Sequence, residues 1–133
     1  MDNLNILFTM AVKARDNAYA PYSNFKVGAA IKANSGNFYS GCNVENVSYP
    51  CGTCAEAGAI SAMIAAGDTI IDEILIVADT SSIFPCGNCL QKIAEFTTEN
   101  SIVYSADLNQ NIHKFKLRDL LPNKFNSDEV KNA

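Results

Sequence analysis

Residues 51–56 read CGTCAE and residues 85–89 read PCGNC, and these two segments decide how the chain is expected to fold around a metal. Each segment carries a C-x-x-C pair at a point where a helix should begin. The first precedes an alanine-rich run closed by Gly67, and in the second Pro85 suits a first helical turn, where its missing N–H is not needed. Because helix N-termini stabilise thiolate over thiol, the two segments predict a metal cradle between two helix starts.

An acidic side chain beside the ligands distinguishes a catalytic zinc site from a structural one. A structural zinc is closed by four protein ligands, whereas a catalytic zinc takes three and keeps one position for water. Glu56 follows Cys54 by two residues, so its carboxylate can reach such a water without being a ligand. A ligand, a Glu two residues later and a distant P-C-x-x-C form the signature of zinc deaminases. We therefore expect Cys54, Cys86 and Cys89 to bind zinc and Glu56 to be the catalytic residue that moves protons.

Other interpretations of the same residues stay open. Thr53 and Glu56 match an S/T-x-x-E capping box, in which the carboxylate only caps the helix. Cys51 can complete a closed four-cysteine zinc site in a non-catalytic binding module. A redox C-x-x-C explains one pair and leaves the other unused. His113, the single histidine, has no motif around it, and we do not expect it to be a ligand.

Composition limits the class of protein. A chain of 133 residues, 48% hydrophobic and 18% charged, fits one globular domain spanning residues 1–133. A net charge of −4 argues against nucleic acid as a partner, because phosphate binding requires an excess of Lys and Arg. With no visible signal peptide and no apolar run of about 20 residues, we expect a cytoplasmic protein without a membrane partner. Its five cysteines are then expected to be ligands or free thiols rather than disulfides.

Hydrophobic periodicity and turn residues predict alternating helices and strands. The expected elements are a helix from residue 4 to before Pro21, a hairpin of strands 26–33 and 38–42, a helix at 54–66, a strand at 73–78, a helix from 85 to about 98, strands at 102–104 and 112–116, a helical turn at 117–121 and a polar tail at 126–133. This order predicts an α/β fold of three layers, α/β/α, around a five-stranded mixed sheet.

Several further segments resemble the small, homotetrameric, zinc-dependent cytidine deaminases. They are APYSNFKVGAA at residues 20–30, GCNVENVSYP at 41–50 and LLPNKF at 120–125, in addition to CAE and PCGNC. The resemblance covers nearly the whole chain. It implies a cytidine deaminase-like fold, one Zn²⁺ per chain, and hydrolytic deamination of cytidine or deoxycytidine in pyrimidine salvage. It also implies a pyrimidine nucleoside as the partner and a homotetramer with shared active sites.

The same resemblance assigns the substrate contacts. They are Phe25 against the pyrimidine, Asn43 and Glu45 at the ribose hydroxyls, Ala55 within the pocket, and Tyr49 and Phe125 approaching the pocket of a neighbouring subunit. Each has a structural alternative. The phenylalanines can be core aromatics, and Asn43 and Glu45 can instead stabilise an irregular loop.

Two positions depart from the family's usual pattern. Where the family often has Arg after the catalytic Glu and after the last Cys, this chain has Ala57 and Leu90. Three thiolates on a dication leave a net charge of about −1, which two helix N-termini offset only in part. The departure leaves open a second substrate class, a modified cytidine or an aminonucleoside such as blasticidin S.

Overall fold

The computed structural model describes residues 2–131. Its helices and strands are α1 (Asn3–Asp16), β1 (Val27–Ala33), β2 (Phe38–Cys42), α2 (Ala55–Ala65), β3 (Ile71–Ala78), α3 (Gly87–Ala94), β4 (Thr97–Ala106), β5 (Ile112–Lys116), α4 (Leu117–Leu120) and α5 (Ser127–Lys131), with a 3-10 turn at Tyr49–Cys51. In this part of the chain, every helix falls short of the length and apolarity needed to cross a membrane.

The sheet is five-stranded and mixed, with the order β2-β1-β3-β4-β5. Strands β3 and β4 run parallel, and the other three neighbouring pairs run antiparallel. The parallel pair is connected through α3, since parallel strands need a crossover rather than a hairpin. The α/β class and the five-stranded mixed sheet predicted from sequence are confirmed.

Two predicted elements, the helix from 85 to about 98 and the strand at 102–104, were wrong in extent. The helix expected to reach about residue 98 ends at Ala94, because Thr97–Ala106 forms a ten-residue strand that pairs with both β3 and β5. The expected polar tail at 126–133 contains the short helix α5. Its last two residues, 132–133, lie outside the described residues.

The sheet is covered on both faces. Helix α1 packs on one face, where Leu7 and Ala11 join Leu75 and Val77 of β3 in one apolar cluster. Helices α2 and α3 share the other face in a second cluster that includes Ile74 and Ile76 of β3, together with Ala59 and Ile93. Successive residues of β3 therefore point to opposite layers, as the period of a strand requires. This explains why the run ILIVA is apolar throughout and confirms the three-layer arrangement.

Glycine at position 41 lets α2 lie directly against β2. A Cβ on Gly41 would be 2.3 Å from the backbone nitrogen of Ala59 and 2.7 Å from the carbonyl oxygen of Ala55. Distances under 3 Å are not tolerated without displacement of the backbone. The close approach fixes the first turn of α2, which carries the candidate catalytic residues, against the sheet.

We expect Gly41→Ala to lower the free energy of unfolding by about 1–3 kcal/mol, the usual cost of overpacking, because α2 must move away from β2. Urea unfolding followed by circular dichroism measures the change. Gly87→Ala is the matched control, since nothing lies within 4 Å of a Cβ at that position. Equal stability of the Gly41→Ala variant and the wild type would contradict the packing described.

Candidate metal centre and active site

Three metal-ligating side chains meet where α2 and α3 begin. Cys54 is the N-cap of α2, Glu56 lies in the first turn of that helix, and Cys89 lies in the first turn of α3. One ligand atom from each of the three lies within 4.8 Å of the others. The two helices meet there because both pack on the same face of the sheet in one apolar cluster.

The two sulfurs behave as one hydrogen-bonded pair. A hydrogen bond with Cys89 lowers the pKa of Cys54 to about 6, aided by the backbone N–H of Ala57. The same hydrogen bond, together with burial, raises the pKa of Cys89. Of the two sulfurs, Cys54 is therefore the more readily ionised. The thiolate, and not the thiol, is the form that binds a metal ion.

Glu56 is buried, with only 5% of its surface exposed. Burial raises the pKa of its carboxyl, because removal from water disfavours the charged form, and the Cys54 thiolate raises it further. A raised pKa keeps the proton on Glu56 to a higher pH than on an exposed glutamate. A carboxyl shifted in this direction is better suited both to take up and to release protons.

The donor set fits zinc. Thiolate sulfur suits zinc, and a helix start supplies the positive potential that several sulfurs need. Cys86, the predicted third ligand, is the exposed N-cap of α3, and its charge contributes to the raised pKa of Cys89. It lies outside the group of three that meets within 4.8 Å. Its role as a ligand stays a prediction.

Other residues considered as ligands or caps lie elsewhere. The exposed Cys51 is on the 3-10 turn, where its sulfur lies 3.5 Å from the hydroxyl of Ser48, and it is not part of the group. The capping-box interpretation of Thr53 is wrong, because Cys54 is the N-cap and Thr53 pairs through its backbone with Val44. His113 is exposed on the edge strand β5 and is not part of the group.

Glu45 and Asn43 hold the loop that carries Phe25. Glu45 accepts hydrogen bonds from the backbone N–H groups of Tyr22 and Ser23, at 2.9 and 3.0 Å, and from the Ser23 hydroxyl. These donors lower the pKa of Glu45, the hydroxyl contributing most. The Asn43 amide accepts from the N–H of Val27 at 2.8 Å and donates to the carbonyl of Phe25 at 2.9 Å. The loop-stabilising alternative is thus seen directly, and the ribose contacts stay a prediction.

The aromatic residues assigned by resemblance are not core residues. Phe25, Tyr49 and Phe125 are 40%, 75% and 61% exposed, so the core interpretation of the two phenylalanines is wrong. Phe125 is held beside α3, because its backbone N–H and C=O both bond the side chain of Gln91. Ala55, in contrast, is only 1% exposed.

An open cavity of about 340 Å³ lies on the Glu45 side of the molecule. Its lining residues are Tyr22, Ser23, Glu45, Asn46, Tyr49 and Gly52. This size is at the lower end of small-molecule sites.

Sequence reasoning missed Ser23 and Gln91, which position Glu45 and Phe125, because no local motif marks a hydrogen bond across 22 or 34 residues.

Comparison with known proteins agrees with this arrangement. Residues 1–105 match the family described as the cytidine and deoxycytidylate deaminase zinc-binding region. The chain belongs to this deaminase family. The family's zinc-binding character fits the cysteine and glutamate side chains gathered at the two helix starts.

Members of the deaminase family match nearly the whole chain. A cytidine deaminase of Sporosarcina psychrophila is 39% identical over 128 residues, covering 96% of this chain and 94% of the relative. One from Halalkalibacterium halodurans is 36% identical, covering 94% and 96%. The crystal structure of cytidine deaminase from Burkholderia pseudomallei superposes with a TM-score of 0.87 at 40% identity, covering 94% of this chain and all of that one. The predicted family and fold are confirmed.

We expect Cys86→Ala to weaken zinc binding at least tenfold, because an open three-thiolate site loses one of its ligands. Cys51→Ala, the matched control, should keep one zinc per chain. Zinc content after dialysis against a chelator, measured by atomic absorption, compares the two. Stoichiometric loss of zinc from Cys51→Ala would instead support the closed four-cysteine site.

Proposed function

We propose that the protein is a zinc-dependent hydrolase that converts cytidine or deoxycytidine and water into uridine or deoxyuridine and ammonia. The observation that carries the proposal is the buried Glu56 carboxylate within 4.8 Å of two cysteine sulfurs at meeting helix starts. Membership of the deaminase family supports the same reaction.

Cys54, Cys86 and Cys89 would hold the zinc, leaving Glu56 free for proton transfer. When bound, zinc supplies Lewis acidity that makes water a nucleophile near neutral pH. Glu56 takes one proton from that water and passes it to ring N3, which makes C4 electrophilic. The C4–O bond forms, Glu56 carries the second proton to the amino nitrogen, and the C4–N bond breaks. One carboxylate thus serves as base and then as acid, and ammonia leaves with the electron pair of the broken bond.

The Phe25 loop supplies the proposed nucleoside pocket. Each oxygen of the Glu45 carboxylate has two lone pairs, and the Asn43 amide nitrogen has a second hydrogen, so both side chains can hold the loop and still bond a ribose hydroxyl. Phe25 is exposed enough to stack on a pyrimidine face. The loop contacts and the substrate contacts are therefore compatible.

A substrate panel tests the reaction. Zinc-quantified protein is incubated with cytidine, deoxycytidine and blasticidin S, and ultraviolet absorbance and ammonia are followed. We expect turnover of cytidine or deoxycytidine. Turnover of blasticidin S alone would favour the second substrate class, for which Ala57 and Leu90 are the motivating residues. Tight zinc without ammonia from any nucleoside would favour the non-catalytic module.

A homotetramer with shared active sites is part of the proposal. Val47, Tyr49 and Phe125 are among the large apolar side chains that are more than 60% exposed, so they are available to contact another subunit. We expect light scattering to give a mass four times the 14.3 kDa of one chain. A monomer that deaminates cytidine at full rate would contradict sharing of sites.

We expect Glu56→Gln to keep its zinc yet lose about 10²–10⁴-fold in kcat, because the amide cannot carry protons between water, N3 and the leaving nitrogen. Steady-state cytidine deamination, normalised to zinc content, measures the loss. Glu99→Gln, at an exposed position on β4, is the matched control. Near-normal turnover in a zinc-replete Glu56→Gln variant would reject the role.

A further inference from the structure

A lysine lies one helical turn beyond the metal-site cysteine of α3. Lys92 follows Cys89 by three residues, and residues at this spacing are neighbours on one side of a helix. Lys92 also lines a groove of about 470 Å³ between α2 and α3. On the α2 side, that groove is lined by Ala57, which directly follows Glu56. Lys92 thus lies on the same helix as Cys89 and beside a groove that it shares with the first turn of α2.

The site needs positive charge that its nearest neighbours do not supply. Three thiolates on a dication leave about −1, and an ionised Glu56 adds another negative charge. Each helix N-terminus offers only about half a positive charge. Ala57 and Leu90, which flank the site on the two helices, are neutral. The chain as a whole is also acidic, with a net charge of −4.

The ammonium of Lys92 is not held by the acidic residue that lines the same groove. Lys92 and Glu95, whose side chains the structure describes, form no ion pair with each other. Lys92 therefore offers its positive charge on the helix that carries Cys89, beside the first turn of the helix that carries Glu56.

We propose that Lys92 is the charge-compensating residue of the metal centre: from the groove beside Ala57 it stabilises the cysteine thiolates and tightens zinc binding. It acts through the thiolates and does not contact substrate. The inference rests on the proposed function, since it requires these cysteines to hold zinc.

The test measures zinc affinity rather than activity. The zinc dissociation constant is obtained by competition with a chromophoric chelator at low ionic strength. For Lys92→Met we expect affinity about three- to tenfold weaker than wild type, a modest effect because the side chain is solvent-exposed and partly screened. Lys92→Arg keeps the charge and should keep the affinity. Lys13→Met on α1, across the sheet, changes net charge equally and should have no effect.

Two further measurements separate charge from packing. Added to Lys92→Met, Ala57→Lys returns a cation to the same groove and should recover the affinity. The difference between wild type and Lys92→Met should also shrink in about 1 M salt, where the Debye length is about 3 Å.

Several results would overturn the inference. They are unchanged affinity in Lys92→Met, equal weakening in Lys92→Arg, and equal weakening in Lys13→Met. If the wild type deaminates cytidine and binds zinc while Lys92→Met binds it equally tightly, only this inference fails. If the wild type itself binds no zinc, the proposed function fails with it.

Discussion

The gathering of negative charge at one point constrains this structure more than any other interaction. Two sulfurs and a buried carboxylate lie within 4.8 Å, which is unfavourable in a low-dielectric interior without compensation. The fold meets this requirement by ending two loops at helix starts on the same face of the sheet. Gly41 is also needed for this arrangement, because only a residue without a side chain lets α2 lie so close to β2.

Local sequence signals predicted the boundaries of helices and strands well where the conformational preference of nearby residues decides where an element begins or ends. The boundaries of the second strand and the fifth strand agree with the structure, and Gly67, at a φ of 98°, follows α2 as expected of a helix-ending glycine. The end of α3 was not predictable in this way. Thr97 leaves the helix because it pairs with Ile71 on a neighbouring strand, a partner 26 residues away that no local pattern reveals.

The residues of the candidate site show the same difference between local and long-range signals. Cys54, Glu56 and Cys89 follow from motif spacing, since each position is fixed relative to a helix start. The engagement of Asn43 and Glu45 with the Phe25 loop does not, because their partners lie 16 to 23 residues away along the chain. Lys92 lies between these cases: its helical spacing from Cys89 was visible in the sequence, but the shared groove with Ala57 required the packed helices.

The Asn43 amide bonds two backbone groups as a neighbouring strand would, because it accepts from the N–H of Val27 and donates to the C=O of Phe25. An apolar replacement would remove both hydrogen bonds, each of which contributes about 0.5–1.5 kcal/mol to stability. A substitution at Asn43 that loses these two bonds should therefore destabilise the Phe25 loop, in addition to any effect on the proposed ribose contact. Changes of specificity that spare the fold are then expected at pocket residues that form no such pair of backbone bonds.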